Sequence, residues 1–119
     1  MDSGNYLKIL KDINAAGLAW VEAKLIHDQL DGDQKSFLAA LQNAIEKAET
    51  EKISEAKLER LALAEPEYRA YVRSIAVARA DMLRKRVRFD SLNNLFEAKR
   101  SEGATERAKI SQGIYHSGG

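Results

Sequence analysis

Apolar residues recur at a spacing of seven along the second half of this chain. The main series is Tyr68, Ile75, Met82, Phe89 and Phe96, continued in register by Gly103 and Ile110. A second series reinforces it, because its members lie three residues after members of the main series: Tyr71, Ala78 and Leu92. Heptad spacing of this kind predicts a long helix with one apolar side, which needs a partner helix to cover it.

A matching apolar stripe lies in the N-terminal part of the chain, over about residues 5–30. Its members are Tyr6, Ile9, Ile13, Ala16, Trp20, Ala23 and Leu30, in alternating steps of three and four that only His27 interrupts. Two such stripes favour antiparallel pairing of the two helices. We therefore predict an all-α fold, an antiparallel helical hairpin or coiled-coil-like bundle with a long C-terminal helix.

The two stripes also predict a helix-packing core and its register. The predicted core residues are Trp20, Tyr68, Ile75, Met82, Phe89 and Phe96. If the numbers of paired residues sum to about 117, Trp20 packs beside Phe96 in one core. The same register places Asp31 opposite Arg86.

Other apolar residues lie off the main stripe of the long helix, among them Leu83, Val87 and Leu95. A single partner helix cannot cover the faces that these side chains occupy. Because exposed apolar patches usually mark an interface, we predict that the protein self-associates.

Capping and helix-breaking residues divide the chain between the two stripes. Gly32, within Asp31-Gly32-Asp33, favours a break with Asp33 as the next cap, and Ser54 favours a second cap. Pro66 must begin a helix because it lacks a backbone donor. We therefore predict one helical domain over residues 1–112 and a disordered tail over residues 113–119. The predicted helices cover about residues 5–30, 34–51, 54–64 and 66–111.

Positive and negative charges are unevenly distributed between the two halves of the chain. Residues 1–65 carry 8 Lys or Arg against 12 Asp or Glu, whereas residues 66–119 carry 11 against 6. This asymmetry indicates either two helices that pair with each other or a basic half that binds an anionic partner.

The densest group of cations is Arg84-Lys85-Arg86-Val87-Arg88. Successive helical positions point around the whole helix, so one interpretation is that these side chains are solvated flanks of a coiled coil. The alternative is a patch that binds a protein partner, or grips DNA phosphates without reading sequence. The candidate binding residues are Arg84, Arg88, Arg100, Arg69 and Arg73, with Lys99 beside Arg100.

The sequence contains no motif of a catalytic or ligand-binding site. There is no cysteine, and the spacing of Asp28, Asp31 and Asp33 departs from that of a calcium loop. A lone histidine such as His27 on an apolar stripe is more often a core residue than a base. We therefore predict a non-enzymatic protein with no cofactor, no metal and no small-molecule ligand. No apolar run reaches the roughly 20 residues of a membrane-spanning helix, so we expect no membrane partner.

Several segments of the chain share a pattern with a known group of proteins. They are Tyr68-Arg69-Ala70-Tyr71-Val72, Ala78-Arg79, Arg86-Val87-Arg88-Phe89 with Leu92, Phe96-Glu97-Ala98, and Ser101-Glu102-Gly103-Ala104 with Arg107. Over residues 54–110 the chain resembles the C-terminal half of small all-helical proteins that temperate phages and prophages encode in early regions. It departs from them at Glu65, where a Ser or Thr cap is expected, and at Gly103, which leaves the continuity of the helix end open.

The resemblance implies a function close to recombination and replication. We therefore expect a phage accessory factor in the cytoplasm of a bacterial host, which binds DNA or proteins that handle DNA. The alternative is a small phage inhibitor that docks on a host defence complex such as a CRISPR effector. In that case the acidic half would mimic nucleic acid, or the long helix would block a groove.

Overall fold

The described part of the protein, residues 3–117, is built from four α-helices. A computed structural model describes the backbone of residues 3–117 and the side chains of residues 4–111. No strand occurs among these residues, so the predicted all-α fold with a long C-terminal helix is confirmed. The helices are α1 (Ser3–Gly32), α2 (Gln34–Ala48), α3 (Glu55–Ala64) and α4 (Pro66–Ser117).

The chain divides into two compact units. Unit 1 combines Met1–Trp20 with Arg84–Gly119, and unit 2 is Val21–Leu83. Unit 1 therefore holds the first part of α1 and the last part of α4, whereas unit 2 holds α2, α3 and the remaining turns of α1 and α4. The prediction of a single domain stays a prediction.

Two of the predicted helix starts are confirmed in unit 2. The Ser54 hydroxyl oxygen accepts a hydrogen bond from the backbone N–H of Lys57 at 3.3 Å, which caps α3. Pro66 is the first residue of α4. Both positions suit their residues, because a serine oxygen satisfies a free N–H of the first turn and proline has no N–H to leave unpaired.

The predicted break after Gly32 is confirmed, and it is limited to one residue. Asp33 lies between α1 and α2 with φ −88° and ψ −1°, close to helical values. Its N–H donates to the Gln29 carbonyl, and its own carbonyl accepts from the N–H of Phe37, both at 3.0 Å. Asp33 occupies the N-cap position of α2, but its side chain makes no capping hydrogen bond, in contrast to the prediction.

Two helix ends differ from the predicted boundaries. α2 ends at Ala48 rather than near residue 51, and α4 continues through Gly103 to Ser117 rather than ending near Ser111. The predicted tail is therefore helical as far as Ser117, while residues 118–119 lie outside the described residues. The helix continues through Gly103 because a glycine lowers helix stability only by about 1 kcal/mol and does not by itself end a helix.

Aromatic pairs join α1 to α4 in unit 1. Tyr6 packs edge-to-face against Phe96, with ring centroids 5.9 Å apart and planes at 84°. Trp20 stacks on Phe89, with centroids 5.8 Å apart and planes at 21°. Because the later residue of α1 contacts the earlier residue of α4, the two helices are antiparallel in this unit, as predicted.

The predicted register of this pairing is wrong, by about one heptad at Trp20 and by more at Tyr6. Trp20 packs on Phe89 and not beside Phe96, which lies seven residues further along α4. Arg86 was predicted to lie opposite Asp31, but its guanidinium carbon lies 5.6 Å from the centroid of the Trp20 ring. A heptad stripe that slides by seven residues still presents apolar side chains to its partner, so the stripe alone does not define the register.

Gly17 provides the space that the Phe89 ring occupies in the observed register. A Cβ at this position would lie 2.9 Å from Phe89 Cε2 and 3.3 Å from Phe89 Cδ2. The Phe89 ring therefore occupies the volume that any other residue at position 17 would fill. A shift by one heptad that brings Met82 to this position would lose the fit, whereas the opposite shift would bring the Phe96 ring to it.

The buried core is thin and consists mainly of small side chains. The described residues with the lowest exposure are Ala16, Ala23, Ala62, Ile75 and His27. Of the predicted core residues only Ile75 is buried, and the others are half-buried: Trp20, Tyr68, Met82, Phe89 and Phe96. The off-stripe residues Leu83, Val87 and Leu95 are exposed, as predicted.

We expect Gly17→Ala to destabilise unit 1 although alanine is the better helix former. The new methyl group must displace the Phe89 ring, which cannot move without losing its stacking on Trp20. Overpacking of this kind costs about 1–3 kcal/mol. Since Trp20 is the only tryptophan, its fluorescence spectrum should change together with a lower midpoint of urea unfolding.

Gly32→Ala is the matched control. A Cβ at Gly32 would meet no atom within 4 Å, and no described glycine has a positive φ. We therefore expect a gain of about 0.5–1 kcal/mol from helix propensity, with unchanged Trp20 fluorescence. Equal gains from both substitutions would contradict the role given to Gly17.

Candidate functional site

Two tyrosines of α4 hold the junction between α1 and α2 in unit 2. The Tyr71 hydroxyl donates to the Leu30 carbonyl at 2.5 Å, and Gln34 Nε2 donates to the Tyr68 hydroxyl at 2.9 Å. Tyr71 also stacks on Phe37 of α2, with ring centroids 4.4 Å apart and planes at 13°. These contacts order the short segment where the chain passes from α1 to α2.

The same contacts form the floor of an open notch of about 620 Å³, which we call the bend notch. Its surface is mainly apolar, and Asp33 is its only charged lining residue. The lining residues are Ile26, Gln29, Leu30, Asp33, Ser36, Phe37 and Tyr71. Ile26 is 52% exposed, so an apolar side chain from outside the unit can reach it.

The bend notch has a negative electrostatic character. Burial raises the pKa of the Tyr71 hydroxyl above its usual value, and the charges of Asp33 and Asp31 raise this pKa further. Both carboxylates therefore act on the tyrosine that forms the notch floor. An apolar floor with carboxylates nearby favours an apolar group that carries positive charge.

Two further concave surfaces are present, one in each unit. In unit 2 a groove of about 350 Å³ runs along α4 beside Val72, Ala76 and Leu83, with Arg79 in its lining. In unit 1 a groove of about 550 Å³ lies between α1 and α4 around Gly103. Its charged lining residues are Lys8, Asp12, Lys99, Glu102 and Glu106. Charges of both signs give this groove no preference for an anionic or a cationic ligand.

The predicted cationic binding residues do not all lie on one side of α4. All five are exposed, with Arg84, Arg88 and Arg100 in unit 1 and Arg69 and Arg73 in unit 2. Arg84 and Arg88 share one flank of α4, but the helical spacing turns Arg100 away from Arg88 by about 120°. Arg100 Nε lies 3.8 Å from Glu97 Oε2, which partly neutralises it.

His27 is a buried residue of α1 with only one ring nitrogen satisfied. Its Nδ1 lies 3.1 Å from Asp28 Oδ1, and because a carboxylate only accepts, Nδ1 donates. Its Nε2 is buried without a hydrogen-bond partner. The pKa of Asp28 is lowered, first by the hydrogen bond from Lys24 at 2.8 Å and then by that from His27. His27 is thus a core residue, as predicted, but an incompletely satisfied one.

The described residues contain no group of three or more His, Cys, Asp or Glu side chains that could hold a metal ion. Among the same residues, no helix is both long enough and apolar enough to cross a membrane.

Comparisons with known proteins give no match to this chain. No protein-family model matches it, and no curated protein or solved structure is significantly similar to it.

Sequence reasoning did not identify the bend notch. Tyr71 belongs to the second apolar series of α4, and the sequence predicts Asp33 as a helix cap and Asp31 opposite Arg86, with no link between them. A signal was present in Ile26, an apolar residue off the α1 stripe and close to these aspartates. The position of Ile26 indicates a notch only together with the packing of Tyr71 against α2, which the sequence does not display.

We expect the stability of the protein to fall at high pH through Tyr71. A raised pKa means that the folded state holds the hydroxyl proton more tightly than the unfolded state. The stability that this proton contributes is therefore complete below about pH 10, the pKa of the tyrosine in the unfolded chain. It is lost as the pH rises through the pKa of Tyr71 in the folded protein. Melting curves recorded between neutral and strongly alkaline pH should show this fall in the wild type.

The Tyr71→Phe variant has no hydroxyl to ionise, so its alkaline loss of stability should be smaller than that of the wild type. Tyr68→Phe is the control, because it removes the neighbouring hydroxyl and keeps Tyr71. If both variants lose stability with pH as steeply as the wild type, the alkaline transition belongs to other groups.

We expect His27→Leu to stabilise unit 2. The substitution removes the unsatisfied Nε2 and places an apolar side chain where the α1 stripe needs one. Removing such a group is expected to recover about 1–3 kcal/mol, seen as a higher midpoint of urea unfolding at pH 7. A lower midpoint would mean that Nε2 has a partner in solution, such as a buried water.

Proposed function

We propose that this chain is a non-enzymatic accessory protein that acts by binding other proteins, namely those that handle DNA. The observation that supports a binding function is a row of exposed apolar side chains on α1 in unit 1. Leu7 is 54% exposed, Leu10 is 47% exposed and Leu18 is 64% exposed.

Leu7 and Leu18 lie on the side of α1 that does not face α4, whereas Leu10 lies closer to the side that Tyr6 and Gly17 turn towards α4. Leu7 and Leu18 are separated by about three helical turns and therefore share a face. The buried residue Ala16 and the aromatic residues Tyr6 and Trp20 occupy the opposite side. An exposed apolar row of this type is characteristic of a surface that a partner protein covers.

The biological setting of the proposal rests on the resemblance of residues 54–110 to small phage and prophage proteins. We propose a phage accessory factor of recombination or replication that works in the cytoplasm of a bacterial host. The proposal includes no catalytic step, cofactor or membrane partner. The same leucine row would also serve the alternative function, inhibition of a host defence complex such as a CRISPR effector.

Direct binding of DNA is the second candidate, supported by the excess of cations in residues 66–119. Two features of the site argue against it as the main function. Arg100 lies about 120° around α4 from Arg88, and it is close to Glu97. Affinity for DNA phosphates needs several cations directed at one backbone, because each neutralised phosphate contributes through counterion release.

The first test of the proposal is retention of a partner from lysogenic cells. We expect the tagged wild type to retain DNA-handling proteins after nuclease treatment, and Leu7→Ser with Leu18→Ser to lose them. Leu61→Ser with Leu63→Ser is the control, because it removes the same groups from α3, where they are also exposed. Loss of all partners after nuclease treatment would favour DNA bridging, and retention of a defence complex alone would favour the inhibitor.

The second test measures DNA binding directly. We expect no detectable binding of the wild type to single- or double-stranded DNA at about 0.15 M salt, where the Debye length is about 8 Å. If binding is seen, Arg84→Gln, Arg88→Gln and Arg100→Gln together should abolish it, and it should fall steeply with salt. Fluorescence anisotropy with labelled DNA measures the effect of the substitutions and the dependence on salt. Binding that behaves in this way would replace protein docking by DNA binding as the proposed function.

A further inference from the structure

We propose that the bend notch of one copy of this chain binds a basic ridge on α4 of a second copy. The basic ridge is defined by Arg84, Val87 and Arg88. The notch belongs to unit 2 and the ridge to unit 1, so every chain carries both partners of the contact. The inference concerns contacts between copies and does not depend on the leucine row of α1.

The apolar parts of the two surfaces are complementary in kind. The notch floor is formed by the stacked rings of Phe37 and Tyr71, with Leu30 beside them. Val87 is 63% exposed and is the apolar centre of the ridge. The notch volume of about 620 Å³ exceeds what one valine needs. It leaves room for the aliphatic stems of the flanking arginines, which can cover apolar surface while their guanidinium groups stay solvated.

The charged parts of the two surfaces are also complementary. Asp33 lines the notch and Asp31 lies near enough to act on Tyr71, whereas Arg84 and Arg88 flank Val87. All four charged side chains are exposed, and none forms an ion pair within the part of the chain that the structure describes. Docking would place two carboxylates against two guanidinium groups, which is the pairing that Arg forms best.

A second copy is a better occupant than an unrelated basic segment for two reasons. Acidic residues are in excess in the half of the chain that contains the notch aspartates, and basic residues are in excess in the half that contains the ridge. A contact between these halves from different copies therefore brings opposite charges together over a larger area. The contact also covers Val87, one of the apolar residues that the pairing of α1 with α4 leaves exposed.

Two charge-reversal variants test the inference. Asp31→Lys with Asp33→Lys makes both notch and ridge basic, and Arg84→Glu with Arg88→Glu makes both acidic. We expect each variant alone to raise the dissociation constant for self-association by roughly tenfold or more, since like charges then face each other. An equimolar mixture of the two variants should associate again, because the basic notch of one meets the acidic ridge of the other.

Sedimentation velocity of the full chain at about 0.15 M salt measures self-association of the wild type, of each variant and of the mixture. Circular dichroism checks the helix content of each variant. Glu46→Lys with Glu59→Lys is the control, since it makes the same charge change at exposed positions of α2 and α3 and should leave association intact. Val87→Ser should weaken association without any change in charge, which keeps the test valid if a charge-reversal variant loses helix content.

Four results would overturn the inference. The first is a wild type that stays monomeric up to about 100 µM, a concentration at which contacts of about −5.5 kcal/mol are half formed. The second is association of the charge-reversal variants with wild-type affinity. The third is failure of the mixed variants to associate, which would assign the loss in each variant to something other than the notch and the ridge. The fourth is self-association that Leu7→Ser with Leu18→Ser weakens as much as the charge reversals do, because that result would place the contact on α1.

Discussion

The packing of the Phe89 ring against Gly17 is the contact on which the pairing of α1 and α4 in unit 1 depends. A side chain at position 17 would overlap the ring, so the absence of a side chain allows Phe89 to stack on Trp20. The heptad stripe of α4 would accept several registers, because apolar residues return every seven positions. In the observed register the residue that meets Gly17 is Phe89, and this close approach excludes a larger residue at position 17.

Thin packing has a direct consequence for function. The seam of unit 1 combines aromatic rings with the small residues Gly17 and Ala16, and the large apolar side chains within it stay half-buried. Since one partner helix covers only one side of α1 and α4, leucines and valines on the other sides stay in contact with water. A chain built in this way presents apolar surface along its helices and is suited to binding.

The distribution of charge supports the same conclusion. Surface ion pairs such as Arg86 with Asp90 and Arg100 with Glu97 are long and exposed, so they contribute little to stability. Arg100 also lies on a different side of α4 from Arg84 and Arg88, so it does not extend their cationic surface. The carboxylates at the bend notch, in contrast, lie beside stacked aromatic rings, where a small number of charges can select one partner.

The sequence by itself determined the helical class, the starts of α3 at Ser54 and of α4 at Pro66, the break after Gly32 and the stripe residues. These features depend on local periodicity and on the chemistry of single residues, which a sequence displays directly. Only the tertiary structure decided that Trp20 contacts Phe89 and that Tyr71 reaches Leu30 and Phe37. A repeating stripe is unchanged by a shift of one heptad, so the register in unit 1 depends on side chains that meet only in the folded chain. The contacts that form the notch in unit 2 likewise join residues that are distant in the sequence.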